Sequence, residues 1–248
     1  MSEPDVDLPD SVAAAWGLQE RPGKGPRRSL TLERVVAAAV RVAETDGLAA
    51  VSMSRVAGEL GVATMSLYRY VSTKNDLVDL MVDAAYGEPP PPRGSDEGWR
   101  PALARWAEAN VAAIRRHPWL RHVPISGPPI RPNQVHWMEQ GLGTLRGTGL
   151  RPTERLSTVL LVSGYARTWA TLTVDLAEAA ARSGVGPDEA NTRYWQHLEL
   201  LTRTGTFPAV RELLTEWAQE EDEEFDAEWE FGLNRILDGV DALIRSRR

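Results

Sequence analysis

The chain has 248 residues, 42% hydrophobic and 25% charged, the balance of a globular protein of one large or two modest domains. It lacks cysteine, which excludes disulfides, thiolate nucleophiles and zinc–thiolate sites, and it has neither a basic-then-apolar signal peptide nor an apolar run long enough for a membrane span, so the expected location is cytoplasmic. The net charge of −7 argues against a nucleic-acid partner until its distribution is read: residues 21–74 carry nine bases against four acids, on an otherwise acidic chain.

Residues 1–28 are expected to be disordered or a basic arm. The first twenty carry five acids and no base, although Val12 to Leu18 has the makings of a turn or two of helix. Arg21 to Arg28 reads Arg-Pro-Gly-Lys-Gly-Pro-Arg-Arg, either a minor-groove arm or a solvated linker. Thr31 then caps a helix whose buried face is expected to hold Leu32, Val35, Val36, Ala39, Val40 and Ala43, ending at Gly47.

Ser52 to Lys74 has the pattern of a helix-turn-helix. Ser52 caps a short helix with Val56, Ala57 and Leu60 on one face, Gly61 marks a sharp turn, and Leu67 and Val71 turn a second helix toward the core. Met65 and Arg69 then lie outward, flanked by Thr64, Ser66 and Tyr68, on a face with no carboxylate. Such a face suits the edges of bases in a DNA major groove. Thr73 and Asp76 form an approximate capping box, and Lys74 with the first-turn amides makes a phosphate seat. An ordinary helical corner is the plainer alternative. The segment 29–86 is therefore expected to be one DNA-binding domain, closed by a helix from Leu77 to Tyr86.

The proline run within 87–98 predicts a linker. Residues 99–248 read as helices punctuated by Pro and Gly. Trp99 opens a helix with Leu103, Trp106, Ala107, Asn110 and Ile114 on one stripe. Pro132 to Leu145 is expected to turn Val135, Met138, Leu142 and Leu145 inward. The longest helix runs from Thr153 to about Arg182, followed by helices over 188–204, 209–218 and 225–245. The fold class is expected to be all-α, with an N-terminal helix-turn-helix domain and a C-terminal helical domain.

Gly47-Leu48, Val51 to Ala57, Leu60-Gly61-Val62, Leu67 to Val71 and Lys74 to Leu77 resemble, in order, the amino-terminal domain of TetR-type transcriptional regulators. The resemblance implies that Thr64, Met65, Ser66 and Arg69 face bases or the groove wall, that Tyr68 and Tyr70 contact the DNA backbone, and that Ser52, Ser54, Arg55 and Lys74 hold phosphates. More loosely, Arg116 to Trp119, Phe207-Pro208 and Phe231 to Gly239 resemble the carboxy-terminal domain of tetracycline-repressor-like members, which implies a small-molecule effector, of unknown identity, and a homodimer.

Eight of the nine tryptophans follow residue 98. Trp106, Asn110, Trp137, Tyr165 and Trp169 are the candidates for an effector pocket, against the ordinary role of tryptophan in a helical core. The histidines show no metal-ligand spacing, and no cofactor is expected. The acidic run Glu216 to Glu230 reads as a solvated loop.

A short recognition helix reads few base pairs, so two heads on an inverted-repeat operator in double-stranded DNA are expected. The apolar stripe Leu233, Ile236, Leu237, Val240 and Ile244 is expected to join the dimer bundle. The favoured function is a repressor released from DNA by a small molecule. A constitutive or activating regulator is the first alternative. A helical enzyme or binding module is the second, and it lacks GxSxG, P-loop or Rossmann patterns.

Overall fold

In the computed structural model, residues 8–18, 30–217 and 225–247 are described, and all regular structure among them is helical. The basic stretch Arg21–Arg28 and residues 218–224 of the acidic run lie outside the described residues. Within 1–28, which the sequence marks as arm or disorder, residues 10–15 form α1 (Asp10–Ala15). It buries Val12 and Ser11, which supply the contacts that so short a helix needs.

α2 (Leu32–Asp46) opens where the Thr31 hydroxyl accepts the Arg34 N–H. Its buried face is Val35, Val36, Ala38, Ala39, Val42 and Ala43. Leu32 and Val40 are only half-buried, so the face is rotated slightly from the expected one. α3 (Met53–Leu60) begins at Ser52, whose hydroxyl accepts the Arg55 N–H, and ends at Gly61. There φ is +66°, a conformation open to glycine, and the Val62 N–H reaches back to the Ala57 carbonyl to close the helix end. α4 (Lys74–Tyr86) starts from a reciprocal pair, with Thr73 Oγ1 accepting the Asp76 N–H and donating to the Asp76 carboxylate.

The body consists of α5 (Trp99–Arg116), α6 (Pro132–Thr144), α7 (Pro152–Arg182), α8 (Pro187–Leu201), α9 (Pro208–Trp217) and α10 (Phe225–Arg245). All five stripe positions of α5 are buried. α6 presents Trp137, Gly141 and Thr144 to the core, while Val135, Met138 and Leu142 are half-buried. The phase follows from Gly141: a Cβ there would stand 3.0 Å from the Trp106 ring and 3.1 Å from Val159, so only a bare Cα lets the helices approach this closely.

Two other expectations change. The proline-rich segment 87–98 is fastened to the body, because Arg93 donates to the Thr144 and Arg146 carbonyls and Arg105 donates to the Pro91 carbonyl and the Glu97 carboxylate. The α10 stripe is consumed inside the subunit: Leu233, Leu237, Val240 and Ile244 are buried against Leu103, Trp106, Leu145 and Val162. The large apolar residues that α7 and α10 leave exposed include Leu156, Leu160, Leu161 and Phe231.

The core has two parts. One joins α2, α3 and α4 to Val111, Ile114, Trp119, Leu120 and Trp169, so the head continues into the body without a solvent gap. The other is the α5–α6–α7–α10 core, and half-buried Tyr86 and Trp229 pack against both.

Candidate nucleic-acid interface and effector region

The segment after the Gly61 turn is a 3-10 helix, Thr64–Arg69. With three residues per turn, positions 64, 67 and 70 share a side, so Leu67 is fully buried and Thr64 and Tyr70 are drawn half inward beside it. Tyr70 Oη donates to the Leu30 carbonyl at 2.9 Å, anchoring the segment to the start of the head. Met65 is 74% exposed, Tyr68 and Arg69 stand out with it, and Ser66 is half-buried. Arg69 and Lys74 have no hydrogen bond or ion pair among the described residues, which leaves both cations available to an outside anion.

Other positions read as phosphate-holding are already engaged. Arg55 donates to Asp46 at 3.0 Å and to Glu59 at 3.2 Å, and the Asp46 carboxylate, then Glu59, raises its pKa further. The Ser52 hydroxyl lies 3.2 Å from that of Ser54 while capping α3. A phosphate reaching Arg55 would exchange one anionic partner for another, at little net gain.

α4 carries the head onto the body through its carboxylates. Asp79 accepts from Ser126 at 2.8 Å and from Arg131 at 2.9 Å. Asp83, 7% exposed, accepts the Gln134 N–H at 2.9 Å and the Asn133 N–H at 3.3 Å, so it caps α6 from another helix. Burial pushes the Asp83 carboxyl above its ordinary range, against the downward pull of those two amides and of Arg131 and His136. Trp137 Nε1 donates to the Gly87 carbonyl at 3.0 Å, and His117 meets Glu44 of α2 at 2.9 Å.

The five effector candidates divide between two aromatic groups. Trp106 and Trp137 make an edge contact at 6.1 Å between ring centroids, and Trp106 Nε1 donates to the Trp137 carbonyl. Asn110 Nδ2 donates to the Trp106 carbonyl at 2.9 Å, the local partner that a buried amide on a helix stripe can find. Tyr165 stacks on Trp229 at 5.0 Å, and Trp169 lies 6.3 Å from the same Trp229. Tyr86 makes an edge contact with Trp137 at 5.6 Å. Burial raises its hydroxyl pKa, while neighbouring Arg167 lowers it. The sequence singles out neither Tyr86 nor Arg167 as a site residue. Tyr86 reads only as the end of a connecting helix, and nothing local marks its proximity to residue 167. Among the described residues no cluster of His, Asp and Glu could hold a metal ion, and no helix is long and apolar enough to cross a membrane.

Residues 35–81 match the family described as bacterial regulatory proteins, tetR family, and residues 90–244 match the tetracyclin repressor-like C-terminal domain. The chain is 38% identical over 244 residues to the HTH-type transcriptional repressor DrrR1 of Streptomyces coeruleorubidus, covering 98% of this chain and 88% of that protein. It is 31% identical over 202 residues to an HTH-type transcriptional regulator of Saccharopolyspora erythraea, covering 81% of this chain and 82% of that one. Among solved structures it is similar to the Streptomyces coelicolor TetR family protein ActR in complex with actinorhodin, with a TM-score of 0.69 at 24% identity over 87% of this chain and 98% of that one. An exposed, acid-free helix-turn-helix face on an all-helical body, together with these matches, identifies the chain as a member of the TetR family of DNA-binding transcriptional regulators, which are not enzymes.

Proposed function

We propose that this regulator is a homodimeric repressor that leaves an inverted-repeat operator when a small molecule binds its C-terminal body. The observation that carries the DNA half is the exposed face of Thr64–Arg69, where Met65, Tyr68 and Arg69 stand outward and Arg69 and Lys74 are unpaired among the described residues. Thr64, Ser66 and Arg69 would meet bases, with Tyr68 and Lys74 on the DNA backbone and Ser52, Ser54 and Arg55 at its edge. The repressor sense is supported by the name of the relative DrrR1.

Dimerisation through α7 and α10 is supported by exposed Leu156, Leu160, Leu161 and Phe231, apolar residues on the two longest helices. Effector binding is supported by the aromatic groups around Trp106 and Trp169. ActR, similar in fold, has been seen with actinorhodin and with (S)-DNPA, so this fold admits a small molecule. The domains of the reading are a head over 29–86 and a ligand-binding and dimerisation body over 99–248, joined by 87–98.

Selection of bound sequences from random double-stranded DNA, followed by sedimentation of the complex, tests the reading. Enrichment of an inverted repeat occupied by two chains is expected. Enrichment of a single unrepeated site by one chain would overturn the dimeric reading. Loss of the complex on adding a small molecule from a screen, with no loss for an Arg69→Ala control on nonspecific DNA, tests release.

A further inference from the structure

Neither DNA reading nor effector binding accounts for residues 8–18. Val12 is 2% exposed and Ser11 3% exposed, so α1 is docked on one side. Ser11 Oγ donates to the Asp76 carboxylate at 3.3 Å, on the first turn of α4 in the head. Trp16 Nε1 donates to the Ile130 carbonyl at 2.8 Å, in the loop that leads into α6 of the body. One short segment, α1 and the residue that ends it, therefore touches both halves of the protein at once.

Its neighbours mark the same seam. Asp76, Asp79 and Asp83 recur at three and four residues along α4, so they share a side of that helix. Asp76 takes Ser11, Asp79 takes Ser126 and Arg131, and Asp83 takes the first amides of α6. On this side of α4, α1 engages a third carboxylate beside the two that the body engages. Residues 8–18 hold one acid and no base, a composition unsuited to a DNA phosphate. An isolated helix shorter than about 12 residues is marginal in water, so α1 exists through its docking.

We propose that residues 8–18 are an intramolecular strap that fastens the DNA-reading head to the body across α4 and stiffens the α4–α6 seam. Docking of Val12 holds the strap down, and the hydrogen bonds of Ser11 and Trp16 fix its two ends, one on each half.

Hydrogen exchange on the full chain, with neither DNA nor effector present, tests the strap apart from the proposed function. The amides of residues 12–17 should be protected. Val12→Asp should speed exchange there, and also at residues 124–134 and 74–80, by about tenfold or more, while the α5 and α7 amides stay protected. Should Val12→Asp fail to fold, the double variant Ser11→Ala with Trp16→Phe removes both hydrogen bonds without burying a charge, and a smaller rise at the same three segments is expected. Free-peptide exchange at 12–17 in the parent would overturn the proposal. So would a rise confined to 11–18 in either variant.

Discussion

Asp83→Ala separates a helix cap from a mere surface charge. The Asp83 carboxylate is the acceptor for the Asn133 and Gln134 N–H groups at 3.3 and 2.9 Å, on a residue 7% exposed, so alanine leaves two donors at the start of α6 without a partner. A lost cap costs about 0.5–2 kcal/mol and a buried orphan about 1–3 kcal/mol, partly offset here because the ionised carboxyl no longer has to be desolvated. A net loss of about 2 kcal/mol is expected, which for a chain of this size lowers the melting temperature by roughly 4–8 °C. Asp83→Asn keeps one acceptor and removes the buried charge, so it should lose about 1 kcal/mol or less. The pH dependence has a definite sign. Burial raises the folded-state pKa above the ordinary 3.8, so the folded chain holds this proton more tightly than the unfolded one. Stability therefore falls as pH rises through the range just above 3.8, and both substitutions should remove that part of the slope. Calorimetric melting at neutral pH measures the cap, and a series of melts from about pH 3 up to neutral measures the slope. A melting temperature for Asp83→Ala within about 1 °C of the parent would refute the cap, and an unchanged pH slope would refute the effect of burial on this carboxyl.

In operator profiling, Arg69→Ala should relax sequence preference, while Lys74→Ala should weaken all sequences alike and lower the salt slope by about one unit; the reverse pattern would exchange their roles. Gly232→Ala places a Cβ against the Tyr165 hydroxyl and 2.6 Å from Cζ, so the Tyr165 ring must leave its stack on Trp229 or α7 and α10 must separate. A loss of about 1–3 kcal/mol in denaturant unfolding is expected, partly recovered by adding Tyr165→Phe. Arg151, through side chain and backbone, and then Arg247 hold the Glu154 carboxyl down at about 2. Its contribution is present above the ordinary 4.5 and is lost as pH falls toward about 2, so the melting gap between parent and Glu154→Gln should close over that interval.

Much of the architecture was legible because its causes are local. Thr31, Ser52 and Thr73 accept the very N–H groups that a cap should take, and the α5 stripe is buried at every expected position. The misses have causes that lie far along the chain. Arg93 fastens 87–98 by reaching carbonyls more than fifty residues away, which a proline count cannot show. Gly141 sets the phase of α6 because the Trp106 ring needs the room, a fact about two helices and not one. The Thr64–Arg69 segment adopts a tighter winding than the expected helix, and the Tyr70 bond to the Leu30 carbonyl that follows it joins residues forty apart. The α10 stripe was correctly read as apolar and assigned to the wrong partner, since periodicity shows that a face is buried but not against what.

The aromatic residues proposed for the effector are also the ones that hold the body together. Trp106, Trp137 and Trp169 are 3, 6 and 8% exposed, and Asn110 is already bonded to the Trp106 carbonyl. A small molecule entering among them must replace these contacts. Its apparent affinity is then reduced by the fraction of molecules in which the aromatic groups are apart, and it shifts operator binding only as far as it prefers that open state. Stability and effector affinity are thereby set in opposition. Trp106→Ala should cost about 3–5 kcal/mol of stability through the lost ring, the largest loss among the substitutions considered. If the effector enters at this ring, the same variant should bind it more tightly or more rapidly than its lost contacts suggest, because the opening has already been made. Trp169→Phe, which keeps one ring and removes the rest of the indole, should cost less stability than Trp106→Ala and alter effector release only if that indole touches the ligand. Titration of each variant with an effector found by screening, followed by melting and operator release together, distinguishes the two. A Trp106→Ala chain that remains folded, loses no stability and releases operator as the parent does would place the effector elsewhere in the body.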